Sequence, residues 1–222
     1  FCYHKYSMEK HYTQEALDHQ VPPSSEVLNL VAERIPIESI SSPEVQSLIG
    51  MLFRVAHGRQ GDDYFPTLVG LAAPQIGVSQ RVVVIGMEGV SSGEQPELKE
   101  FINPTIIEVS GRMVEGREGC FSTGRICGIV ERPESVTVHA WDKEGEDFIH
   151  SFEGFTARVA QHEIDHLDGI RFPDKITNPN KLHWVEENQY GDYRKHWQNW
   201  SKHVSEELWK RMKTGLAESD EQ

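Results

Sequence analysis

Gln161-His162-Glu163-Ile164-Asp165-His166 sets two imidazoles, two carboxylates and an amide in six consecutive residues. On a helix, His162 and His166 stand one turn apart on the same face, where they can grip one cation. Glu163 projects about 100° round the axis from His162. It is therefore poorly placed as a ligand but well placed to take a proton from a water at the cation's open position. A catalytic metal needs a third protein donor, with the fourth position left open. Cys120 lies in a short, glycine-flanked polar segment and is a reasonable donor, its thiolate neutralising one charge of a divalent cation. The competing reading of Cys120 is a small buried hydrophobe. Gln161 and Asp165 flank the histidines and can orient them from behind, a solvated face being the alternative for Asp165.

These side chains need a helix and a scaffold to hold it. Gly154 precedes a helix from about Phe155 to Leu167, and Gly169 ends it. Ser42-Pro43-Glu44 is a helix start, with Ser42 as cap and Pro43 in the first turn. That helix puts Val45, Leu48, Ile49, Leu52 and Val55 on one core-facing side. Arg81 to Gly86 reads as a buried strand, and Phe101 to Ile107 as a strand interrupted by a turn. Ser135 to Trp141 alternates as a half-buried strand does, and Asp142-Lys143-Glu144-Gly145 turns it into Phe148 to Phe152 as a hairpin. Ser205 to Lys213 reads as a final helix. The expected class is α+β: short antiparallel strands wrapped round a central helix, with a helix at each end. The expected division is an N-terminal arm (1–24), a catalytic domain (25–184) and a Trp-rich helical extension (185–222).

The 222 residues suffice for one well-buried domain. No apolar run approaches the roughly 20 residues that a membrane span needs. The net charge of -13 argues against a phosphate-binding surface, so no specific nucleic acid is expected as a partner. Three cysteines, Cys2, Cys120 and Cys127, suggest no disulfide framework and fit a reducing compartment. The first residues lack the apolar centre of a signal peptide, and the chain does not begin with Met. The expected location is cytoplasmic, or an organellar matrix after loss of a presequence.

Three segments then combine: Gly70-Leu71-Ala72-Ala73-Pro74-Gln75-Ile76-Gly77, Glu118-Gly119-Cys120-Phe121-Ser122, and Gln161 to Gly169. In this order they resemble the three signature motifs of the peptide deformylase family, and the resemblance runs from about Val27 to Trp184. It implies a metallo-amidase that removes the formyl group from the N-terminal formyl-methionine of nascent polypeptides, releasing formate. It also implies Cys120, His162 and His166 as metal ligands and Glu163 as the proton carrier. Gln75 and the Phe121 N–H would hold the oxyanion, one such donor being worth about 10²–10³ in rate. Val69, Gly70 and Gly119 would line a groove where the peptide extends as an added strand. Arg132 resembles the family's arginine beside that groove, with a surface salt bridge as the alternative. Iron(II) is the family's usual metal, and zinc, nickel and cobalt can take the same site.

The chain departs from the family's pattern at Leu68, where a glycine is usual, at Phe121, where leucine is common, and at Thr123-Gly124, where a proline is usual. These changes bear on substrate preference. Two other readings compete. A zinc endopeptidase would draw its third ligand from downstream, where His183, Glu186, Glu187 and His196 stand, and a binding module would keep the fold without the reaction. The Trp-rich tail packs on the body or meets a partner such as the ribosome.

Overall fold

The computed structural model describes residues 20–57, 68–87 and 97–216. The arm as far as residue 19, Cys2 and the polar loop from Gly58 to Phe65 lie outside those residues. Helix α1 (Pro43–Ala56) begins as its sequence dictates, the Ser42 side chain accepting from the Val45 N–H. Strands β1 (Gly70–Ala72), β2 (Val82–Gly86) and β3 (Leu98–Val109) follow. Then come β4 (Met113–Gly119), β5 (Ile126–Pro133), β6 (Ser135–Trp141) and β7 (Asp147–Glu153). Helix α2 (Gly154–Leu167), β8 (Leu182–Trp184), α3 (Tyr190–His196) and α4 (Glu206–Thr214) complete the chain.

The strands form two antiparallel sheets, ordered β1-β2-β3-β6-β7 and β4-β5-β8. At β2 the five-stranded sheet is covered on both faces. Val82 and Val84 of β2 pack into the cluster built on α1, while Val83 and Ile85 pack into the one built on α2. This period-two partition is why β2 is apolar throughout rather than alternating. Helix α2 is central as expected: Ala157, Val159, Ala160, Ile164 and Leu167 fill the cluster between it and the sheet. The architecture is α+β. No helix among the described residues is long and apolar enough to cross a membrane.

Two local features differ from the expectation, and a third is one of two alternatives that it left open. The turn placed within Phe101 to Ile107 is instead an irregularity inside the continuous β3, with register shifts between Ile102 and Thr105 and between Ile106 and Glu108. Asn103 takes a positive φ of 50° there. Its amide is held by the Ile35 backbone, Oδ1 accepting from Ile35 N at 2.8 Å and Nδ2 donating to Ile35 O at 2.7 Å. A tertiary contact thus turns a turn signal into a bulge. Secondly, β4 and β5 carry charges and glycines that mask their strand pattern, and β8 is only three residues long; the register pairs Glu118 with Gly128 and Gly119 with Cys127. Thirdly, the tail packs on the body: Val204 and Trp209 join Ile126, Val130 and Phe172, while Tyr190 and Tyr193 pack with Cys127 and Val185.

Helix α2 ends at Gly169, whose φ of 70° is the left-handed cap conformation. A Cβ there would also sit 2.8 Å from the Asn29 carbonyl oxygen, because the N-terminal segment crosses the helix end at backbone contact. Gly169→Ala is therefore expected to cost about 2 kcal/mol, combining αL strain with a backbone clash. In thermal denaturation this should lower Tm by roughly 4–8 °C. An unchanged Tm would show that the two segments separate freely.

Candidate metal centre

Each half of the centre is placed by a different element. Helix α2 presents His162 and His166 one turn apart, both buried, with ring centroids 4.9 Å from each other. Cys120 comes from the junction where β4 ends, immediately before a short 3-10 turn at Phe121–Thr123. The Thr123 hydroxyl lies between the carbonyls of Cys120 (2.7 Å) and Ile126 (3.0 Å), holding the turn closed. Gly124 follows at φ 61° and ψ -124°, a combination that side chains disfavour.

The outcome is that one ligand atom from each of Cys120, His162 and His166 lies within 4.8 Å of the others. The Cys120 sulfur is 3.5 Å from His166 Nε2. Among the described residues, this is the one His/Cys/Asp/Glu cluster of metal-ligating size. Two of the downstream candidates for a protease-type ligand, His183 and Glu186, are engaged elsewhere. His183 Nδ1 meets Tyr193 OH at 3.0 Å and Nε2 meets the Asn180 carbonyl at 3.1 Å, while Glu186 pairs with Arg125.

The cluster's chemistry suits a cation. Burial pushes both imidazoles below their ordinary pKa, His166 further because His162 stands beside it, so both stay neutral as ligands must. Burial, then the Glu163 charge, pushes the Cys120 thiol up to about 11. A bound cation would reverse that and hold the thiolate. Burial likewise raises Glu163 to about 8, and its Oε2 has no hydrogen-bond partner among the described residues. A buried carboxyl oxygen without a partner, beside two neutral imidazoles and a thiol, makes a polar pocket of donors suited to a cation. The residues fit a divalent ion with nitrogen and sulfur donors.

Against His162 of this cluster lies Glu118, fully buried and missed by the sequence reading. Its carboxylate accepts Arg132 Nε (2.6 Å) and Nη2 (2.8 Å), Arg158 Nη1 (2.8 Å) and His162 Nδ1 (2.9 Å). Burial alone would raise its pKa, but Arg132 and then His162 more than offset this and hold it well below the carboxylate range. With Nδ1 turned to that anion, Nε2 is the nitrogen that His162 can offer to a cation. Arg132 also binds Asp165 at 2.7 Å, and its side chain is only 2% exposed. Its ion pairs lie under the site, not on the surface. Asp165 itself is 13% exposed and paired with Arg132 and Lys175, so it is not a solvated face. Gln161 donates to the Pro133 and Ala157 carbonyls and ties α2 to β5. A buried carboxylate next to a cysteine in the Glu118-Gly119-Cys120 motif was the available signal, but its two arginines lie 14 and 40 residues away.

Gln75 sits on the 3-10 turn Ala73–Ile76 that follows β1. Its Oε1 accepts the Ala72 N–H at 2.7 Å, which fixes the amide so that Nε2 faces Cys120 Sγ (3.2 Å) and Ser122 Oγ (3.3 Å). Gly70 on β1 has no room for a side chain: a Cβ would come within 2.7 Å of Glu163 Oε1 and 2.8 Å of Val159 Cγ1. What approaches closely at this glycine is thus the glutamate. Val69 and Leu68 pack at the rims of the α2 and α1 clusters, and Phe121 joins Leu68 in the latter. Gly119 closes β4, an edge strand, as β1 is of the other sheet.

Residues 21–182 match the sequence profile of polypeptide deformylases, which stops at the start of β8. Peptide deformylase 2 of Pseudomonas syringae pv. tomato is 35% identical over 159 residues, covering 70% of this chain and 85% of its own. The peptide deformylase of Desulforudis audaxviator is 48% identical over 111 residues, 49% of this chain and 67% of its own. In fold, the chain is similar to the class I type b peptide deformylase of Acinetobacter baumannii crystallised with Met-Ala-Ser, with a TM-score of 0.63 and 31% identity over 71% of this chain and 96% of that one. The chain belongs to the polypeptide deformylase family, metal-dependent enzymes that remove the formyl group from the N-terminal methionine of nascent peptides.

Proposed function

We propose that Cys120, His162 and His166 hold the family's divalent ion in this chain, and that Glu163 moves the protons of deformylation beside it. The observation that carries this reading is the convergence of three ligand atoms within 4.8 Å, two of them from the helix that carries buried Glu163. When bound, the cation polarises the formyl carbonyl and makes the attacking water acidic enough to react near neutral pH. Fe(II) is the metal we assign, following the family resemblance, with zinc, nickel and cobalt compatible with the same donors.

Glu163 takes the proton of the attacking water and returns it to the departing α-amino nitrogen. Its burial favours the protonated carboxyl, which helps it hold that proton until the amine leaves. Gln75, fixed by Ala72, turns its amide N–H toward the developing oxyanion, and the Phe121 N–H is the second donor. The A. baumannii relative was crystallised with a Met-Ala-Ser peptide, which supports a formylated N-terminal peptide as substrate here. Such a peptide would extend past Val69, Gly70 and Gly119, where β1 and β4 are edges of their sheets. We assign Arg132 to holding Glu118 and Asp165 rather than to touching peptide, because its guanidinium is consumed by those carboxylates. A thiolate-ligated metal is suited to a reducing compartment, the cytoplasm or an organellar matrix. Contact with the ribosome belongs to the same reading, and co-sedimentation with translating ribosomes at moderate salt is its test.

The reaction is tested by formate release from a formyl-Met tripeptide with anaerobically Fe(II)-loaded protein. Glu163→Ala should keep its metal while kcat drops by about 10²–10⁴; normal turnover in this variant would sink the assignment. Cys120→Ser should lower metal affinity in competition with a chelator, and full stoichiometry at unchanged affinity would remove Cys120 from the ligand set. Gly70→Ala should retain metal yet lose activity, since its methyl displaces the Glu163 carboxylate; activity equal to the parent would show that Glu163 has slack.

A further inference from the structure

We propose that Trp209, in the C-terminal extension, is a positioning residue for the metal centre, bracing the loop that seats Cys120 and His162. This rests on the ligand reading above. Trp209 lies beyond the stretch matched by the family profile, which ends at residue 182. It is nevertheless 2% exposed, and it shares a buried cluster with Ile126 and Phe172 against which Cys120 itself packs.

The contacts run from the indole to both ligand-bearing elements. The Trp209 ring lies over the Arg171 guanidinium, 4.6 Å from Cζ to the ring centroid. Arg171 is fully buried and donates through Nη1 to the Ser122 carbonyl at 3.0 Å, two residues after Cys120. It also donates to Pro23 O at 2.6 Å and Asn29 Oδ1 at 2.8 Å. The next residue, Phe172, stacks on His162 with centroids 6.1 Å apart and planes 24° from parallel. On the far side of the loop, Trp209 Nε1 donates to Asp174 Oδ1 at 2.8 Å, while Asp174 Oδ2 accepts from Lys213 at 2.7 Å and from the Arg171 N–H at 3.0 Å.

A buried guanidinium must keep every partner or draw in water. Here the aromatic face is one of those partners and screens the others from solvent. Removing it lets Arg171 re-solvate, which loosens its grip on the Ser122 carbonyl and the packing of Phe172 on His162. The donors would then be held less tightly at the separations a cation requires, and a bound cation would escape faster.

The test loads full-length wild type, Trp209→Leu, Trp209→Phe, Asp174→Ala and Tyr193→Leu with Co(II). Release to excess chelator is followed by loss of the thiolate-to-cobalt absorption, at a temperature where circular dichroism shows every variant folded. Tyr193→Leu is the control, because it perturbs the same extension through a different cluster. Trp209→Leu should release cobalt about tenfold faster than wild type. Asp174→Ala should shift in the same direction, since it removes at once the acceptor of the indole, of the Lys213 ammonium and of the Arg171 N–H. Trp209→Phe, which retains a ring over Arg171, and Tyr193→Leu should stay near the wild-type rate. Equal rates for Trp209→Leu and wild type, or an equal acceleration by Tyr193→Leu, would overturn the brace. Should Trp209→Leu fail to fold, Asp174→Ala against Tyr193→Leu decides. Wild type that takes up no cobalt would instead bring down the ligand reading.

Discussion

A carboxylate with no access to water, Glu118, is the constraint on which the centre depends. Removing such an ion from water costs several kcal/mol, so the fold is viable only if cations and N–H donors converge on it. Arg132 arrives from β5, and Arg158 and His162 from α2. The demand of one anion therefore locks the three-stranded sheet against the central helix. It also orients a ring: His162 points Nδ1 at the anion, while burial, against the pull of that anion, keeps the imidazole neutral. Loss of either arginine would leave an uncompensated buried charge, which costs about 3–5 kcal/mol. The network thus links stability to the orientation of the His162 ring.

Close approach of charged side chains to backbone is the second requirement, and glycines meet it. Gly116 on β4 leaves room for the Arg158 guanidinium, whose Nε would lie 2.7 Å from a Cβ there. That guanidinium donates to the Val114 and Val130 carbonyls as well as to Glu118. Gly70 does the same for Glu163 across β1. Neither glycine has a positive φ, so the reason for each is space rather than backbone freedom.

The extension beyond residue 182 has the character of a structural part. Its buried aromatic residues complete clusters that begin in the matched region, and its helix α4 reaches the 171–174 loop through a stacked guanidinium and a shared carboxylate. Asp174 is kept below its ordinary range although burial works the other way, because Lys213, the Arg171 N–H and the Trp209 indole all donate to it.

By itself the sequence determined whatever depends on neighbours within one helical turn or one strand. The cap at Ser42, the apolar face of α1, the β6–β7 hairpin, the stop at Gly169 and the pairing of His162 with His166 are local consequences of periodicity and capping. The three motifs, taken together, also carried the family and its reaction. Tertiary structure alone decided what lies between distant segments. Cys120 meets His166 across 46 residues, and Gln75 meets Cys120 across 45. Arg132 reads as an arginine beside the peptide groove, or as a surface salt bridge, until Glu118 and Asp165 are found paired with it. The bulge at Asn103 exists because Ile35, 68 residues earlier, offers its backbone. The physical reason is common to all of these. Local patterns follow from bond geometry and side-chain period, whereas the fate of a buried charge is set by which partners the completed fold carries to it.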